Sequence, residues 1–392
     1  MSRLDDLKKR VIDEVEGRRD QLIELSLRIH ANPEMAFFES KAAGWLTDYL
    51  EAEGFAVERG ICQIGTAFRA TSGSGQPRVA FLAEYDALAG IGHGCGHNII
   101  AMASVGAGIA TKAVVSEVGG TALVIGTPAE EIGGGKVFMA HRGGFDDVDV
   151  AMLVHPGSRD VAVTHALALV ALGVQYFGKA AHAAARPEAG INALDALIIA
   201  YNGISVLRQH IRDSARVHGI ITEGGQAVNV VPERAAGAFL VRADDDAYLE
   251  ELKEKVLACF RAGAEATGAR LEHRWEEEVR YRALRSNRAL AEAYRRNMQA
   301  LGREVQEEEP KRHLGSTDMG NVSALVPAIH PTVAIAPPDV PIHTPEFRDA
   351  AASEAGQRGL VDAAKAMAMT AVDVLVNGEL RRRIEEEFRG GQ

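Results

Sequence analysis

The sequence has few cysteines, a deficit of basic residues and no long apolar run. Its three cysteines, Cys62, Cys95 and Cys259, are odd in number and widely spaced, so they predict no disulfide framework and fit a reducing compartment. Lysine and arginine number 43 against 54 acidic residues, which gives a net charge of −11. Nucleic acids and anionic membrane surfaces are recognised by basic patches, so this balance argues against both as partners. The charged first residues, with no uninterrupted apolar run of bilayer length, predict a cytoplasmic protein outside the membrane.

What is present favours a globular protein of more than one part. Hydrophobic residues make up 47% of the 392 and charged residues 25%, so the chain can bury a sizeable core. Between residues 79 and 154, buried strands, loops and helices alternate, which predicts an α/β fold with a mostly parallel central sheet flanked by helices. From 172 to 282 the pattern changes to two helices and an antiparallel sheet, typical of a compact α+β unit. We therefore predict one domain over 1–171 and 283–392, with a second domain inserted over 172–282.

One short stretch, residues 92–98 (Gly-His-Gly-Cys-Gly-His-Asn), alternates three possible metal ligands with three glycines. Residues two apart in an extended segment point the same way, so His93, Cys95 and His97 can face one point. The glycines let the backbone turn tightly around that point. Imidazole and thiolate together suit zinc and similar transition metals. The alternative is a glycine-rich loop that holds a buried cysteine and two incidental histidines.

Further polar side chains follow other predicted strands. Asp86 and the stretch just described come after the strand that ends at Ala83. Glu130 and Glu131 come after the next strand, and His155 follows a third. Sites in open α/β sheets form at the carboxyl ends of strands, so independent strands are expected to deliver these side chains to one edge.

The adjacent acids Glu130 and Glu131 allow two interpretations. Two acids at a helix start usually form a solvated first turn that the helix dipole stabilises. Here they directly follow an apolar strand and the bend at Pro128, so they are expected near a buried edge. Adjacent side chains diverge, so one carboxylate can bind metal while the other accepts a proton from a bound water. A metal can lower the pKa of its bound water from 15.7 to about 7, which makes that proton removable at neutral pH.

Seven segments, taken in order, make the chain resemble the dinuclear-metal aminoacylase and carboxypeptidase family. It is most similar to the amidohydrolase branch that contains auxin-conjugate hydrolases, hippurate hydrolase and aminobenzoyl-glutamate hydrolase. The resemblance spans nearly the whole chain. The segments are residues 84–88 (EYDAL), 93–98 (HGCGHN), 128–131 (PAEE), 155–157 (HPG), 178–184 (GKAAHAA), 229–232 (NVVP) and 343–346 (HTPE).

The resemblance implies a role for each matching residue. Two divalent transition-metal ions, zinc or manganese, would lie about 3.5–4 Å apart. Glu130 would be the general base, and Asp86 would orient a ligand from the second shell, whereas His93 has no ligand role. The implied metal ligands are Cys95, His97, Glu131, His155 and His343.

The inserted domain would be a lid through which the protein forms a homodimer. His182 would reach the site from the lid, in its own or the neighbouring protomer, to stabilise the tetrahedral oxyanion. Asn229 and Arg242 would hold the carboxylate or scissile carbonyl of a small amide substrate. Without the resemblance, Asn229 reads as a turn residue and Arg242 as a solvated strand end.

The chain departs from the common pattern of the branch at a few positions. Asn98 and Glu84 stand where Asp is usual, Ala89 stands where Pro is usual, and residues 315–320 (GSTDMG) replace a more usual Glu-Asp pair. Asn98 and residues 316–320 are similar to a sub-branch with aminobenzoyl-glutamate hydrolases and certain dipeptidases. The expected activity is hydrolysis of the amide bond of N-acyl amino acids, aminobenzoyl-glutamate conjugates or small dipeptides.

Two other functions compete with amide hydrolysis. The same centre could carry out hydrolytic deamination or decarbamoylation, and the fold could persist in a non-catalytic binding protein. Other enzyme motifs fail on inspection. Gly133-Gly134-Gly135-Lys136 is followed by Val137 rather than Ser or Thr, which argues against a P-loop. No Gly-x-Ser-x-Gly elbow and no zinc-deaminase signature is present.

Overall fold

The computed structural model describes residues 2–310 and 314–390. The described residues fold into two compact units. Of the described residues, the first unit contains 2–165, 284–310 and 317–390, and the second contains 166–283 and 314–316. The chain therefore divides at residues 166 and 283, where the sequence predicted 172 and 282.

Twelve α-helices and fourteen β-strands occur in the described part of the chain. The helices are α1 Arg3–Gly17, α2 Arg19–His30, α3 Ser40–Ala52, α4 His97–Val118, α5 Gly135–His141, α6 Ala193–Leu207, α7 Asp246–Thr267, α8 Arg288–Ala300, α9 Met319–Ser323, α10 Pro345–Ala352, α11 Glu354–Val376 and α12 Gly378–Gly390. The strands are β1 Ala56–Arg59, β2 Phe68–Ser74, β3 Arg78–Ala83, β4 Gly120–Gly126, β5 Val150–Met152, β6 His155–Gly157, β7 Val161–Val163, β8 Ala168–Phe177, β9 Arg216–Glu223, β10 Arg234–Ala243, β11 Arg270–Trp275, β12 Gln306–Glu308, β13 Ala328–Ile329 and β14 Thr332–Ala334.

The first unit is built on a six-stranded sheet with the order β1-β2-β4-β3-β5-β13. Strands β4, β3, β5 and β13 run parallel, and β1 and β2 add an antiparallel edge. All residues of β4 are buried and β3 is buried from Val79 onward, as expected for strands covered on both faces. The predicted mostly parallel sheet flanked by helices is confirmed.

Helix α4 is the central helix of this unit and packs on β3, β4 and α11. By length and composition alone it could cross a membrane, but most of its apolar stretch is buried within the protein. This burial is what the core helix of a globular domain requires.

The second unit is an antiparallel sheet, β11-β8-β10-β9, with helices α6 and α7 packed on it. Strand β8 alternates buried and half-buried residues along its whole length, the pattern of a strand with one face on a core. That core is separate from the core of the first unit. Strand β9 lies at the edge and pairs only with β10 among the described strands.

The bounds of three helices have local causes. Helices α1 and α2 are separate because Arg18 between them has a φ of −113° and a ψ of 7°, which are not helical. Helix α6 begins at Ala193, because the Asn192 side chain accepts hydrogen bonds from the first free backbone N–H groups. It ends at Leu207, where a 3₁₀ turn follows.

A second sheet of the first unit was not predicted from the sequence. It has four short strands in the order β12-β7-β14-β6, each three residues long. Its strand β6 begins at His155, so this sheet also carries one of the predicted ligands.

Candidate metal centre

The predicted ligands of the first unit converge from several elements. Strand β3 ends at Ala83, shortly before Asp86, and β4 ends at Gly126, ahead of the two adjacent glutamates. Helix α4 begins at His97. His343 lies just ahead of α10, and its backbone N–H donates to the Gly94 carbonyl at 2.8 Å. The sheet edge, a helix start and a remote loop therefore meet at one place.

The ligand atoms form three overlapping groups. Within each group the candidate atoms lie within 4.8 Å of one another. Two contacts define the spacing: Cys95 Sγ lies 3.3 Å from His155 Nε2, and Glu131 Oε1 lies 3.3 Å from His343 Nε2. The structure thus brings all five predicted ligands together with the predicted base. The groups are Cys95, His97 and His155; Cys95, Glu131 and His343; and His97, Glu130 and Glu131.

Asp86 fixes two of these groups from behind. Its Oδ1 lies 2.9 Å from His97 Nδ1, and its Oδ2 accepts a hydrogen bond of 2.9 Å from the backbone N–H of Glu131. A carboxylate on Nδ1 sets the tautomer of His97 so that Nε2 is the free donor atom. Asp86 therefore lies where it can orient His97, which is the role that the resemblance implies.

One buried nitrogen of this cluster lacks a partner. His97 Nε2 is buried and has no hydrogen-bond partner among the described residues. Buried polar atoms are nearly always paired, because leaving one unpaired costs free energy. Thiolate, imidazole and carboxylate donors in this arrangement suit a borderline divalent metal such as zinc. The residues present therefore fit a divalent transition-metal centre.

The backbone is strained where the ligands are presented. Gly96 has a φ of +79°, and a Cβ built on it would lie 2.5 Å from Pro156 Cγ. Ala129 and His343 have φ values of 63° and 66°, which non-glycine residues rarely adopt. The Glu39 carboxylate accepts the Ala129 N–H at 2.9 Å and thereby holds the loop that carries the two glutamates. Such strain concentrates at functional sites, where the surroundings maintain it.

The two adjacent glutamates differ in their electrostatics. Burial, with the Glu84 and Asp318 carboxylates nearby, raises the pKa of Glu130 well above its usual range. Burial acts in the same direction on Glu131, but the hydrogen bond with His343 and the charge of His97 outweigh it, so the pKa of Glu131 is below its usual value. Carboxyl groups whose environments separate their pKa values are suited to different roles.

Sequence reasoning missed three residues beside the centre. Lys136 is fully buried, with its Nζ 2.7 Å from Asp318 Oδ1. The ring centroid of His330 lies 5.4 Å from that of His155, and the Nε2 of His330 has no partner among the described residues. A signal existed for His330, since His330-Pro331 follows β13 much as His155-Pro156 follows β5.

The remaining predicted site residues belong to the second unit. The N–H of Ala183 donates to the Asn229 carbonyl at 3.0 Å, so the His182 and Asn229 segments run side by side. Arg242 lies near the other end of β10 and donates to Ser316 Oγ at 3.0 Å. Strand β10 begins at Arg234, close to Asn229 in the chain, and Arg242 lies eight residues further along the strand. An extended strand of that length spans about 26 Å. The roles of these three residues stay predictions.

His93 is buried apart from the ligand groups. Its ring stacks on that of His30 with centroids 6.0 Å apart. Burial lowers the pKa of His93 to about 3, so the ring is neutral at physiological pH.

The sequence is similar to a known protein family and to characterised proteins. The family model described as Peptidase family M20/M25/M40 matches residues 76–366. The Xaa-Arg dipeptidase of Mus musculus is 39% identical over 98% of this chain and 92% of its own length. A p-aminobenzoyl-glutamate hydrolase polypeptide of Escherichia coli (strain K12) is 31% identical over 96% of this chain and 94% of its own length.

Solved structures share the fold at lower sequence identity. A dinuclear metal binding peptidase of Bacillus subtilis superposes with a TM-score of 0.72 at 20% identity, over 92% of this chain and 99% of its own. An aminobenzoyl-glutamate utilization protein of Klebsiella pneumoniae gives a TM-score of 0.68 at 20% identity, over 92% of this chain and 97% of its own length. At these identities the likeness establishes the fold.

Proposed function

The chain belongs to peptidase family M20/M25/M40, and we propose that it hydrolyses the amide bond of small dipeptides and N-acyl amino acids at a centre of two divalent metal ions. The observation that supports this most is the cluster of five ligands with Glu130 beside it. A hydrolytic centre needs both a metal site and an unligated base, and this cluster supplies both.

The residues divide the chemical work among them. When bound, the ions would polarise the amide carbonyl and lower the pKa of a water molecule. Glu130 takes the proton of that water and hands it to the leaving amine, which a carboxyl with a raised pKa does well. Asp86 keeps His97 Nδ1 occupied, so that Nε2 faces the centre. His182 as oxyanion donor, with Asn229 and Arg242 as substrate contacts, completes the proposal.

The relatives narrow the substrate class. The mouse relative is named for dipeptides that end in arginine, and the bacterial one for an aroyl amide of glutamate. Both names describe an amide whose leaving group is an amino acid. We place dipeptides first, because the dipeptidase is the more similar of the two over nearly the whole chain. Deamination and decarbamoylation are not favoured by these relatives.

The exposed surface of the second unit supports a homodimer. Strand β9 is an edge strand, and Ile220 on it is 65% exposed. Helix α6 lies beside this edge, since the Tyr201 hydroxyl donates to the Gly219 carbonyl at 2.8 Å. Val206 on the helix is 68% exposed. Apolar side chains on an unpaired edge are a liability unless a partner covers them, and we propose a second copy of the chain as that partner.

We further propose that the metal is zinc or manganese and that the protein is cytoplasmic. Thiolate and imidazole favour zinc, and the Glu131 carboxylate also accepts manganese. A cytoplasmic location agrees with three unpaired cysteines, of which Cys95 must stay reduced to bind metal.

The test begins with metal content per chain, measured by mass spectrometry on protein purified without chelator. We expect about two ions per chain in the wild type and fewer in Cys95→Ala. Cys259→Ala is the matched control, because that cysteine lies in the second unit.

The loaded protein is then assayed on Xaa-Arg dipeptides, aminobenzoyl-glutamate, N-acetyl amino acids and N-carbamoyl amino acids. Release of a free amino acid from the dipeptides, aminobenzoyl-glutamate or the N-acetyl amino acids supports the proposal, whereas turnover of the N-carbamoyl amino acids alone would indicate decarbamoylation. Ammonia release without a new amino acid would indicate deamination. Two bound metals with no hydrolysis of any amide would overturn the assignment.

A further inference from the structure

Glu84 is a buried carboxylate that the predicted ligand set does not use. It directly follows β3 and is fully buried. Its Oε2 lies 3.5 Å from His97 Nε2, and neither atom has a hydrogen-bond partner among the described residues. Two unpaired buried acceptors facing each other repel unless something positive lies between them.

The distance between these atoms fits one shared ion. Zinc binds imidazole nitrogen and carboxylate oxygen at about 2.0–2.2 Å in tetrahedral sites. Two such donors at a tetrahedral angle lie about 3.4 Å apart, which agrees with the observed separation.

The other oxygen of Glu84 is held from the opposite side. Glu84 Oε1 lies 2.6 Å from Lys136 Nζ, an ion pair without the alignment of a hydrogen bond. The same ammonium lies 2.7 Å from Asp318 Oδ1, and Asp318 Oδ2 accepts the Lys136 backbone N–H at 2.9 Å. Asp318 thus fixes Lys136, and Lys136 fixes Glu84. The orientation of Oε2 toward His97 is therefore imposed by a buried chain of contacts.

Charge balance points the same way. Glu84, Asp318 and Lys136 are all fully buried, and two carboxylates against one ammonium leave an excess of negative charge. A buried uncompensated charge is costly, and a divalent cation beside Oε2 would balance it.

We propose that Glu84 is a further protein ligand of the metal centre, sharing an ion with His97 through Oε2, while Lys136 and Asp318 position it. This inference rests on the metal centre of the proposed function. Lys136 and Asp318 are positioning residues, because they act on the ion only through Glu84.

Glu84→Gln is the first test, because it keeps the shape and removes the anionic oxygen. Metal content and affinity are measured by titration, and the visible spectrum of the Co²⁺-substituted protein reports the ligand set. We expect weaker binding of one ion by about 10–100-fold or more, since even outer-shell partners contribute that much. The Co²⁺ spectrum changes as well.

Asp318→Asn is the matched control. It removes a carboxylate from the same lysine but leaves the proposed ligand in place, so it should weaken metal binding and change the Co²⁺ spectrum less than Glu84→Gln does. If Glu84 only balances the charge of Lys136, both variants lose thermal stability alike and both keep wild-type metal affinity and spectrum. That result would overturn the proposal.

Glu84→Asp covers the case in which Glu84→Gln does not fold. It keeps the charge and the pairing with Lys136 but is one methylene shorter, so it cannot contact both Lys136 and the ion. Wild-type affinity and spectrum in this variant would also contradict the proposal. A wild-type protein that takes up no metal would instead refute the proposed function, so the two failures are distinguishable.

Discussion

Glu130 and Glu131 are neighbours in the chain, yet their surroundings set their carboxyl groups apart. Glu131 is paired with His343 Nε2 at 3.3 Å and lies 3.9 Å from His97 Nε2, which fits a ligand. Glu130 shares a possible ligand group with His97 and Glu131 but has the raised pKa of a proton carrier. Adjacent side chains diverge, so a pair of acids can place one on the metal and the other on the water.

Replacing the base should separate catalysis from metal binding. We expect Glu130→Gln to keep both ions and to lose about 10²–10⁴-fold in kcat, because a neutral amide cannot accept the proton. Metal analysis and steady-state kinetics check this. Glu131→Gln is the control and should lose metal together with activity. A Glu130→Gln enzyme with wild-type kcat would remove Glu130 from the mechanism.

Glu39, which is not one of the proposed ligands, leads to a prediction about how stability depends on pH. Burial, and the Asp86 carboxylate, raise the pKa of Glu39 from 4.5 to about 7. The folded chain therefore holds this proton more tightly than the unfolded chain does. The resulting stability is fully present below 4.5 and is lost as the pH rises through about 7.

Removing that titration should flatten the pH dependence of unfolding. Glu39→Gln can still accept from Phe37 and Ala129, because one oxygen receives both N–H groups. Between pH 4.5 and 7 the wild type should lose up to about 3 kcal/mol of unfolding free energy relative to this variant. Urea unfolding at several pH values measures the difference. Parallel pH profiles for both proteins would contradict the raised pKa.

At the level of elements, most strands of the six-stranded sheet could be predicted, whereas several strands of the smaller sheet could not. Strands β3 and β4 are nearly continuous buried runs, so their positions and the ligands after them followed from sequence. The three-residue strands β6, β7 and β12 are too short to show a period. His330 was missed for the same reason, because it follows the two-residue strand β13.

Partners of the buried ion pairs could not be predicted either. Lys136 and Asp318 are 182 positions apart in the chain, and only folding brings them together. No local pattern pairs a lysine with a distant carboxylate. Most of the ligands were predictable because they follow strand ends, and His343 was implied by the resemblance. The Lys136–Asp318 pair depends instead on the packing of α5 against α9.

The start of helix α4 can be tested with a matched pair of glycines. Gly96 and Gly268 each cap a helix in the left-handed conformation, with φ values of +79° and +75°. A Cβ at Gly96 would lie 2.5 Å from Pro156 Cγ, whereas one at Gly268 meets nothing within 4 Å. A residue other than glycine in this conformation costs about 1–2 kcal/mol.

Both alanine variants should therefore be destabilised by about 1–2 kcal/mol, the cost of a left-handed backbone at a residue other than glycine. Gly96→Ala should lose more stability than Gly268→Ala and should also lose metal, because the shift displaces Cys95 and His97 on either side. Thermal unfolding and metal content, measured on both variants, check this. Equal destabilisation with intact metal would mean that the loop around Gly96 adapts at no cost to the ligands.

For the whole molecule, assembly is the property that sequence pattern describes least well. Ile220 and Val217 both lie on β9, yet Val217 is buried in the core of the second unit and Ile220 is exposed. In a sequence both predict an ordinary strand. Only the sheet order, which places β9 at an edge, shows that Ile220 has no cover within the described part of its own chain.

A charge on this edge should weaken the homodimer. We expect the wild type to be a dimer at micromolar concentration in analytical ultracentrifugation. Ile220→Lys should raise the dissociation constant by at least about tenfold, because each 1.4 kcal/mol is tenfold and a two-fold interface carries the change twice. Phe38→Lys is the control, since Phe38 is 75% exposed but lies in the first unit.

The possible results distinguish whether the protein forms a dimer from whether β9 forms the interface. A strictly monomeric wild type would refute the homodimer. A dimer that tolerates Ile220→Lys but not Phe38→Lys would move the interface to the first unit. Loss of the dimer in Ile220→Lys alone, with metal content unchanged, would assign the interface to β9, because the ligand cluster belongs to the first unit and does not depend on that edge.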